Sequence, residues 1–206
     1  MTSEPDAAQA PPGLTPRPTL DLLVERVLTG RPRLGATRLV AIDGPAGSGK
    51  STLAADLAAA LRARGQDVAV IGMDDMFEGW AGLGAGIEQL VSGVLAPLVR
   101  GEAGSHRRWD WHAGAWAGVV VVPPPGVLVV EGCGSAPRVA APWTNLLAFV
   151  ETDRDARLRR GLARDGEEMR ADWLRWMALE EQAFAREATR ARAHVRLDGE
   201  GNVLPS

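Results

Sequence analysis

The stretch Asp43 to Thr52, DGPAGSGKST, constrains this chain more than any other. Gly44 to Ser51 satisfy G-x-x-x-x-G-K-[ST], a glycine-rich turn whose backbone N–H groups close around phosphate oxygens while the following helix offers its N-terminus to the same charge. Such a loop needs a strand before it and a helix after it. RLVAID, residues 38 to 43, is a compact apolar run, and SGKSTLAADLAAALRARG has the Ala/Leu pattern of a helix that Gly65 stops. Lys50 is the only lysine in 206 residues; the other 22 of the 23 basic residues are arginine. A surface exchanges the two freely, but a wide planar guanidinium cannot replace a slim ammonium threaded into a closed loop. Gly44, Ala46, Gly47, Ser48, Gly49, Lys50, Ser51 and Thr52 are therefore the candidate phosphate-binding positions. Lys50 would reach the β- and γ-phosphates, and the Ser51 hydroxyl would sit on Mg²⁺.

The rest of the chain supplies a fold for that loop. TLDLLVERVLT, from Thr19, reads as a short helix with Thr19 as N-cap and Gly30 as its stop. DVAVI, from Asp67, reads as a strand, and Gly86 to Val99 as a helix weakened by Pro97. The Trp- and Val-rich stretch Ser105 to Pro123 suits short antiparallel strands or an extended excursion. VLVV (127 to 130) and LLAFV (146 to 150) are apolar without alternation, as strands buried on both faces are. Asp153 to about Ala193 is helical in character, and His194 to Leu197 suits a last strand. Strands alternating with helices predict a three-layer α/β/α sandwich with a mostly parallel sheet. Residues 1–18, rich in Pro and Ala, read as a disordered leader, and residues 19–206 as one domain.

Three strands then end in acids: Asp43, the pair Asp74 and Asp75, and Glu131. Ligands of such sheets bind beyond the carboxyl ends of the strands, so these acids gather at the expected site. A carboxylate can orient an alcohol and take its proton during phosphoryl transfer. The adjacent acids suggest divided labour, with Asp75 toward substrate and Asp74 turned away or toward metal. Glu131, beside Gly132 and Gly134, can bind Mg²⁺ through water or contact substrate. Arg157, Arg160 and Arg164 share a narrow arc at 3.6 residues per turn.

In order, IDGPAGSGKST, MDDMF, RRWDW, VVEG and RLRRGLARD resemble the uridine kinase, phosphoribulokinase and pantothenate kinase group of P-loop kinases, most of all uridine kinase-like proteins. The resemblance runs from about Leu39 to Asp165. It implies a P-loop NTPase kinase fold with a helical lid at about 154–170, whose arginines, Arg160 and Arg164 first, close over the transferring phosphate. It makes Asp75, in Asp75-Met76-Phe77, the catalytic base and places Phe77 at the substrate. It makes Trp109-Asp110-Trp111 the counterpart of a Tyr-Asp-Phe element that holds a nucleoside, so Trp109, Asp110 and Glu131 join the substrate set. This sequence departs by having Trp at both aromatic positions and no Tyr at all, which bears on the substrate more than on the reaction. The metal set is Ser51, Asp74 and Glu131.

The expected function is transfer of the γ-phosphoryl group of Mg-ATP to a hydroxyl of a small molecule, with a nucleoside named first. Rivals are a cytidylate-type nucleoside monophosphate kinase, whose Asp-[ST]-Gly-Ala-Met-Tyr-Arg element is absent, a gluconate-type sugar kinase, and an ATP-binding regulatory protein without an acceptor. A guanine-reading [NT]KxD motif needs a second lysine, so ATP is the default nucleotide. A net charge of −3 argues against a nucleic-acid partner. No apolar run reaches the 18 residues of a membrane span, and the single Cys133 fits a reducing compartment, so the expectation is a cytoplasmic protein, with homo-oligomer formation left open. His106 and His112 can be placed at the site or on the surface, and Cys133 reads as an inert apolar residue.

Overall fold

The computed structural model describes residues 15–205. Of the leader expected over 1–18, residues 1–14 lie outside the described residues, while Arg17 and Pro18 already belong to the first helix, α1 (Arg17–Thr29). Proline fits a first helical turn because its missing N–H would have no partner there, so the helix starts ahead of Thr19, which lies buried inside it. Strand β1 (Arg38–Asp43) leads into the phosphate loop, and α2 (Lys50–Ala63) leaves it. Leu53, Ala54, Leu57, Ala58 and Leu61 form the buried stripe of α2. The chain turns at Gly65 (φ 76°) into β2 (Val68–Gly72) and then a 3-10 turn, Met73–Met76.

The next helical segment opens three residues earlier than the sequence suggests. Helix α3 (Leu83–Gln89) passes through a π turn, Leu90–Leu95, into α4 (Ala96–Val99). Pro97 has no N–H to return to the preceding turn, and the ladder widens ahead of it, with Ala96 N–H reaching back to Val91. The Trp/Val-rich stretch is an antiparallel hairpin, β3 (Gly104–Asp110) and β4 (Ala115–Val122), standing apart from the main sheet. Its register shifts between Arg107 and Trp109, where Ala117 and Gly118 together oppose Arg108 in a bulge that Gly118 (φ 114°) accommodates.

The remaining elements are β5 (Val127–Glu131), β6 (Thr144–Glu151), α5 (Arg154–Asp165), α6 (Arg170–Glu187), α7 (Thr189–Arg192) and β7 (Val195–Asp198). The five-stranded sheet has the order β2-β5-β1-β6-β7, with every pairing parallel. Alternate residues of the central strands feed two cores. Val40, Ile42, Val129 and Ala148 pack with α1 and α2, while Leu39, Leu128 and Val130 pack with the α3 to α4 segment and α6. The result is a three-layer α/β/α sandwich whose strands β1, β2 and β5 all end at one edge, beside the phosphate loop.

Candidate active site

The loop between β1 and α2 is shaped from outside. Gly44 (φ 137°) crosses β6 so closely that a methyl group there would come within 2.1 Å of the Val150 carbonyl oxygen. The loop carbonyls are held by donors from α5 and the end of β6: Arg157 Nη1 to Ala46 O (3.2 Å), Arg160 Nη1 to Gly47 O (3.3 Å) and Thr152 Oγ1 to Ser48 O (3.2 Å). Helix α2 has no side-chain N-cap, which leaves its first N–H groups for a ligand. Lys50 is buried and its Nζ donates to Pro45 O at 2.8 Å, lying across the loop. Burial alone would lower its pKa, but the surrounding negative groups, Glu131, Asp74 and Glu180 among them, hold it above the ordinary lysine value.

Behind the loop lies a buried ion pair that the sequence reading missed. Glu180, 1% exposed, accepts from Arg157 Nη1 at 2.7 Å and from Ala46 N–H at 2.8 Å, and the Cys133 thiol donates to it at 3.3 Å. Arg157 thus holds the loop and does not share an open arc with Arg160 and Arg164. The signal was present: Trp173, Trp176, Met177, Glu180 and Ala183 make one buried stripe of α6, and an acid on that stripe needs a partner. Cys133 is buried and neutral, its thiol pushed well up by desolvation.

Asp43 also differs from a strand-end ligand. It is fully buried, its Oδ1 accepting Gly44 N–H (2.7 Å) and Gly134 N–H (2.9 Å) and its Oδ2 accepting Ala136 N–H (3.0 Å). Burial lifts its pKa to about 6 against the pull of those hydrogen bonds. It ties the loop after β5 to the phosphate loop.

Two cavities meet in front of these elements. One, about 400 Å³, is lined by Gly47, Gly49, Lys50, Ser51, Thr52, Asp74, Glu131 and Arg160, and is the phosphate end. The other, about 490 Å³, is walled by Phe77, Trp80, Trp111, Trp173 and Trp176. Ala46, Asp74, Arg164 and Trp173 border both. The sequence aims Asp75 at the substrate and Asp74 away from it or toward metal; in the structure Asp74 lines both cavities and Asp75 lines neither. The 3-10 turn is the reason: it sends Met73 and Met76 into the core and leaves Asp74 over the cleft. Asp74 keeps solvent access, yet desolvation by the cleft walls raises its carboxyl above the usual range, against the pull of Lys50 and Arg164.

Ser51 Oγ donates to Glu131 Oε1 at 3.0 Å, and desolvation raises the Glu131 carboxyl despite Lys50. Among the described residues no group of three or more His, Cys, Asp or Glu is placed to hold a metal ion alone. A hydroxyl beside a carboxylate, all-oxygen and incomplete, suits a Mg²⁺ that brings most of its ligands as water and phosphate oxygens. Arg164 is paired to Asp165 through two hydrogen bonds of 2.7 and 2.9 Å, and this pairing raises its own pKa and lowers that of Asp165. Trp173 Nε1 donates to the same Asp165 (3.0 Å).

The tryptophan element sits differently from the expectation. Trp109 packs edge-on against Trp116 at 5.2 Å and lies outside both cavities. Asp110 closes the hairpin turn by accepting the His112 and Ala113 N–H groups, which lower its pKa. Trp111, past the end of β3, is re-aimed by that turn, and its Nε1 donates to Asp74 O at 3.0 Å. Phe77 is fully buried but borders the aromatic cavity, touching Trp176 at 5.1 Å. His106 is buried in the hairpin, and His112 reaches the aromatic cavity.

The sequence profile of the CobQ/CobB/MinD/ParA nucleotide binding domain, CbiA, matches residues 39–178. The chain belongs to this family. The matched span runs from β1 through the first half of α6 and includes the phosphate loop, Asp74, Glu131, Arg160 and Arg164, while Gly199, which also lines the phosphate cavity, lies outside it. No curated protein matches the sequence at a significant level. Among solved structures the chain is similar to a possible uridine kinase from Bacillus stearothermophilus, at 20% identity and a TM-score of 0.67, covering 88% of this chain and 98% of that one. It is also similar to a candidate fructose transport system kinase from a Silicibacter species (22%, 0.62, 82% and 94%). A D-glycerate 3-kinase from Cryptococcus neoformans follows the same path more loosely (12%, 0.52, 90% and 97%). These likenesses establish a P-loop nucleotide-binding fold shared with proteins named as small-molecule kinases. No described helix is long and apolar enough to cross a membrane.

Proposed function

We propose that this protein is an ATP-dependent kinase that transfers the γ-phosphoryl group to a hydroxyl of a small molecule, a nucleoside being the acceptor class that its sequence resemblance implies. The observation that carries the reading is Asp74, a carboxylate on the wall shared by a phosphate cavity and a second, aromatic cavity. A protein that only binds or hydrolyses nucleotide has no need of the second chamber.

The phosphates lie against the N-terminus of α2, with Lys50 along the β- and γ-oxygens. A third cavity of about 550 Å³, reached past Arg160 and Gly199, leaves room for the base and sugar of the nucleotide. Ser51 and Glu131 would hold Mg²⁺, which supplies charge neutralisation on the phosphate oxygens. The acceptor hydroxyl enters from the aromatic cavity. Its oxygen bonds to the γ-phosphorus as the bond to the β,γ-bridging oxygen breaks, ADP leaves, and the hydroxyl proton passes to Asp74. Arg160 and Arg164 flank the cavity and oppose the charge that spreads over the transferring oxygens.

The test is Mg-dependent ADP release from ATP across nucleosides, nucleoside monophosphates, pantothenate and sugars. Acceptor-stimulated release with a phosphorylated product supports the kinase. The family match favours a second reading, a nucleotide-binding protein without an acceptor, since that family is not confined to kinases. ATP binding with no stimulation by any acceptor would favour it.

A further inference from the structure

The two arginines that flank the phosphate cavity are held in different ways. Arg160 donates to Gly47 O at 3.3 Å and so moves with the backbone that cradles the phosphates. Arg164 makes no hydrogen bond to that loop among the described residues. It stands on the last turn of α5 with its side chain 68% exposed, where a long side chain has many rotamers open to it. What holds it is its neighbour in sequence. Arg164 Nε donates to Asp165 Oδ1 at 2.7 Å and Nη2 donates to Oδ2 at 2.9 Å, so two N–H groups on one edge of the planar guanidinium meet both carboxylate oxygens. The opposite edge, with Nη1, has no partner among the described residues and still carries N–H groups able to meet a second anion.

Asp165 is itself held from behind. It is the last residue of α5, and Gly166 (φ 103°) ends the helix there. The Trp173 indole Nε1 donates to Asp165 Oδ2 at 3.0 Å, and that indole, 1% exposed, lies so close to Gly161 that a methyl group there would come within 2.2 Å of its ring. The Arg164 guanidinium carbon lies 5.8 Å from the centre of the same ring. A buried indole on α6 therefore sets an acid, the acid sets a guanidinium, and the guanidinium borders both cavities. The surface pairs Arg100–Glu102 and Arg170–Glu167 lack this backing: every partner is more than half exposed, and among the described residues no third group bonds to either acid. Resting on the kinase reading above, we propose that Asp165 is a positioning residue, which aims the free edge of the Arg164 guanidinium at the oxygens of the γ-phosphoryl group. Acid and phosphoryl group do not compete, because they take opposite edges of one fork. Without the acid the positive charge stays at the cleft but loses its direction.

Calorimetric titration of the full chain with Mg-ADP, and separately with a non-hydrolysable Mg-ATP analogue, reads the γ-phosphoryl group apart from the rest of the nucleotide and needs no turnover. In Asp165→Asn the affinity for the analogue should fall about tenfold while that for Mg-ADP stays within about twofold of wild type. Arg164→Ala should lose at least as much of the analogue's affinity. The double variant Asp165→Asn/Arg164→Ala should then bind the analogue within about twofold of Arg164→Ala alone, because an acid that acts through Arg164 has nothing left to act on. An acid that merely braces the junction of α5 and α6 would weaken both nucleotides alike, or add its own loss to that of Arg164→Ala, and either result overturns the proposal. So does an unchanged preference for the analogue over ADP in either single variant. Tighter binding of the analogue by Asp165→Asn also overturns it, since the acid would then be withholding Arg164 from the phosphate. The expected binding pattern without acceptor-dependent ADP release from the wild type would leave the role of Asp165 standing and remove the kinase reading instead.

Discussion

Replacing Glu180 by Gln should loosen the phosphate loop from behind. The carboxylate is buried and accepts two strong hydrogen bonds, 2.7 Å from Arg157 and 2.8 Å from the Ala46 amide. Gln can still accept from Ala46, but its amide offers Arg157 no charge, and Arg157 is itself only 8% exposed. A charge-assisted hydrogen bond contributes about 1.5–3 kcal/mol, and removing one partner of a buried pair altogether costs about 3–5 kcal/mol. Glu180→Gln is therefore expected at the lower range and Glu180→Ala at the upper, out of a total stability of about 5–15 kcal/mol. With a urea slope of about 2 kcal/mol per molar, Glu180→Gln should lower the unfolding midpoint by about 1 M, read from tryptophan fluorescence. Nucleotide affinity should fall about tenfold, because the Ala46 to Ser48 backbone is positioned through this pair. The double replacement Arg157→Met with Glu180→Leu separates the two effects. Apolar residues of similar volume restore stability, but nothing then accepts the Ala46 N–H, so nucleotide binding stays weak. A midpoint within about 0.2 M of wild type for Glu180→Gln, together with unchanged nucleotide affinity, would refute the reasoning.

Lys50→Arg keeps the charge but not the shape, and acceptor-dependent turnover should fall about a hundredfold or more while circular dichroism stays as in wild type. Asp74 must be ionised to take a proton and its pKa is raised above the ordinary 3.8, so kcat/KM should fall as pH drops through a value above 3.8; a pH–rate profile flat down to pH 4 would contradict this. Gly161→Ala puts a methyl group 2.2 Å from the Trp173 ring and should cost about 1–3 kcal/mol in chemical unfolding, because the indole is locked between α5 and the aromatic cavity.

What the sequence disclosed was local. The apolar run of β1, the glycines of the loop and the Ala/Leu stripe of α2 are contiguous signals, whereas the Trp- and Val-rich composition of β3 and β4 pointed to extended chain without fixing the hairpin pairing. The strand order was not readable, since it depends on which parallel neighbours pair across long crossovers. Asp43 looked like a site acid because nothing in its neighbourhood reveals that Gly134 and Ala136 return their amides to it. The exchange of Trp109 for Trp111 arises where the strand stops: two residues apart they would share a face, but the Asp110 turn rotates Trp111 onto Asp74. A similar local turn, from Met73 to Met76, separates Asp74 from Asp75, two neighbours that residue type alone cannot tell apart. Glu180 was legible in principle, as the one acid on a buried stripe.

The central claim is that phosphoryl transfer runs through the carboxylate between the two cavities. The direct measurement compares Asp74→Asn and Asp75→Asn for acceptor-dependent ADP release at saturating Mg-ATP, with ATP affinity measured alongside. Loss of about 10²- to 10⁴-fold in kcat for Asp74→Asn, with ATP affinity within about threefold of wild type and Asp75→Asn within about tenfold, is the predicted result. Full turnover in Asp74→Asn, or collapse in Asp75→Asn alone, would contradict the account.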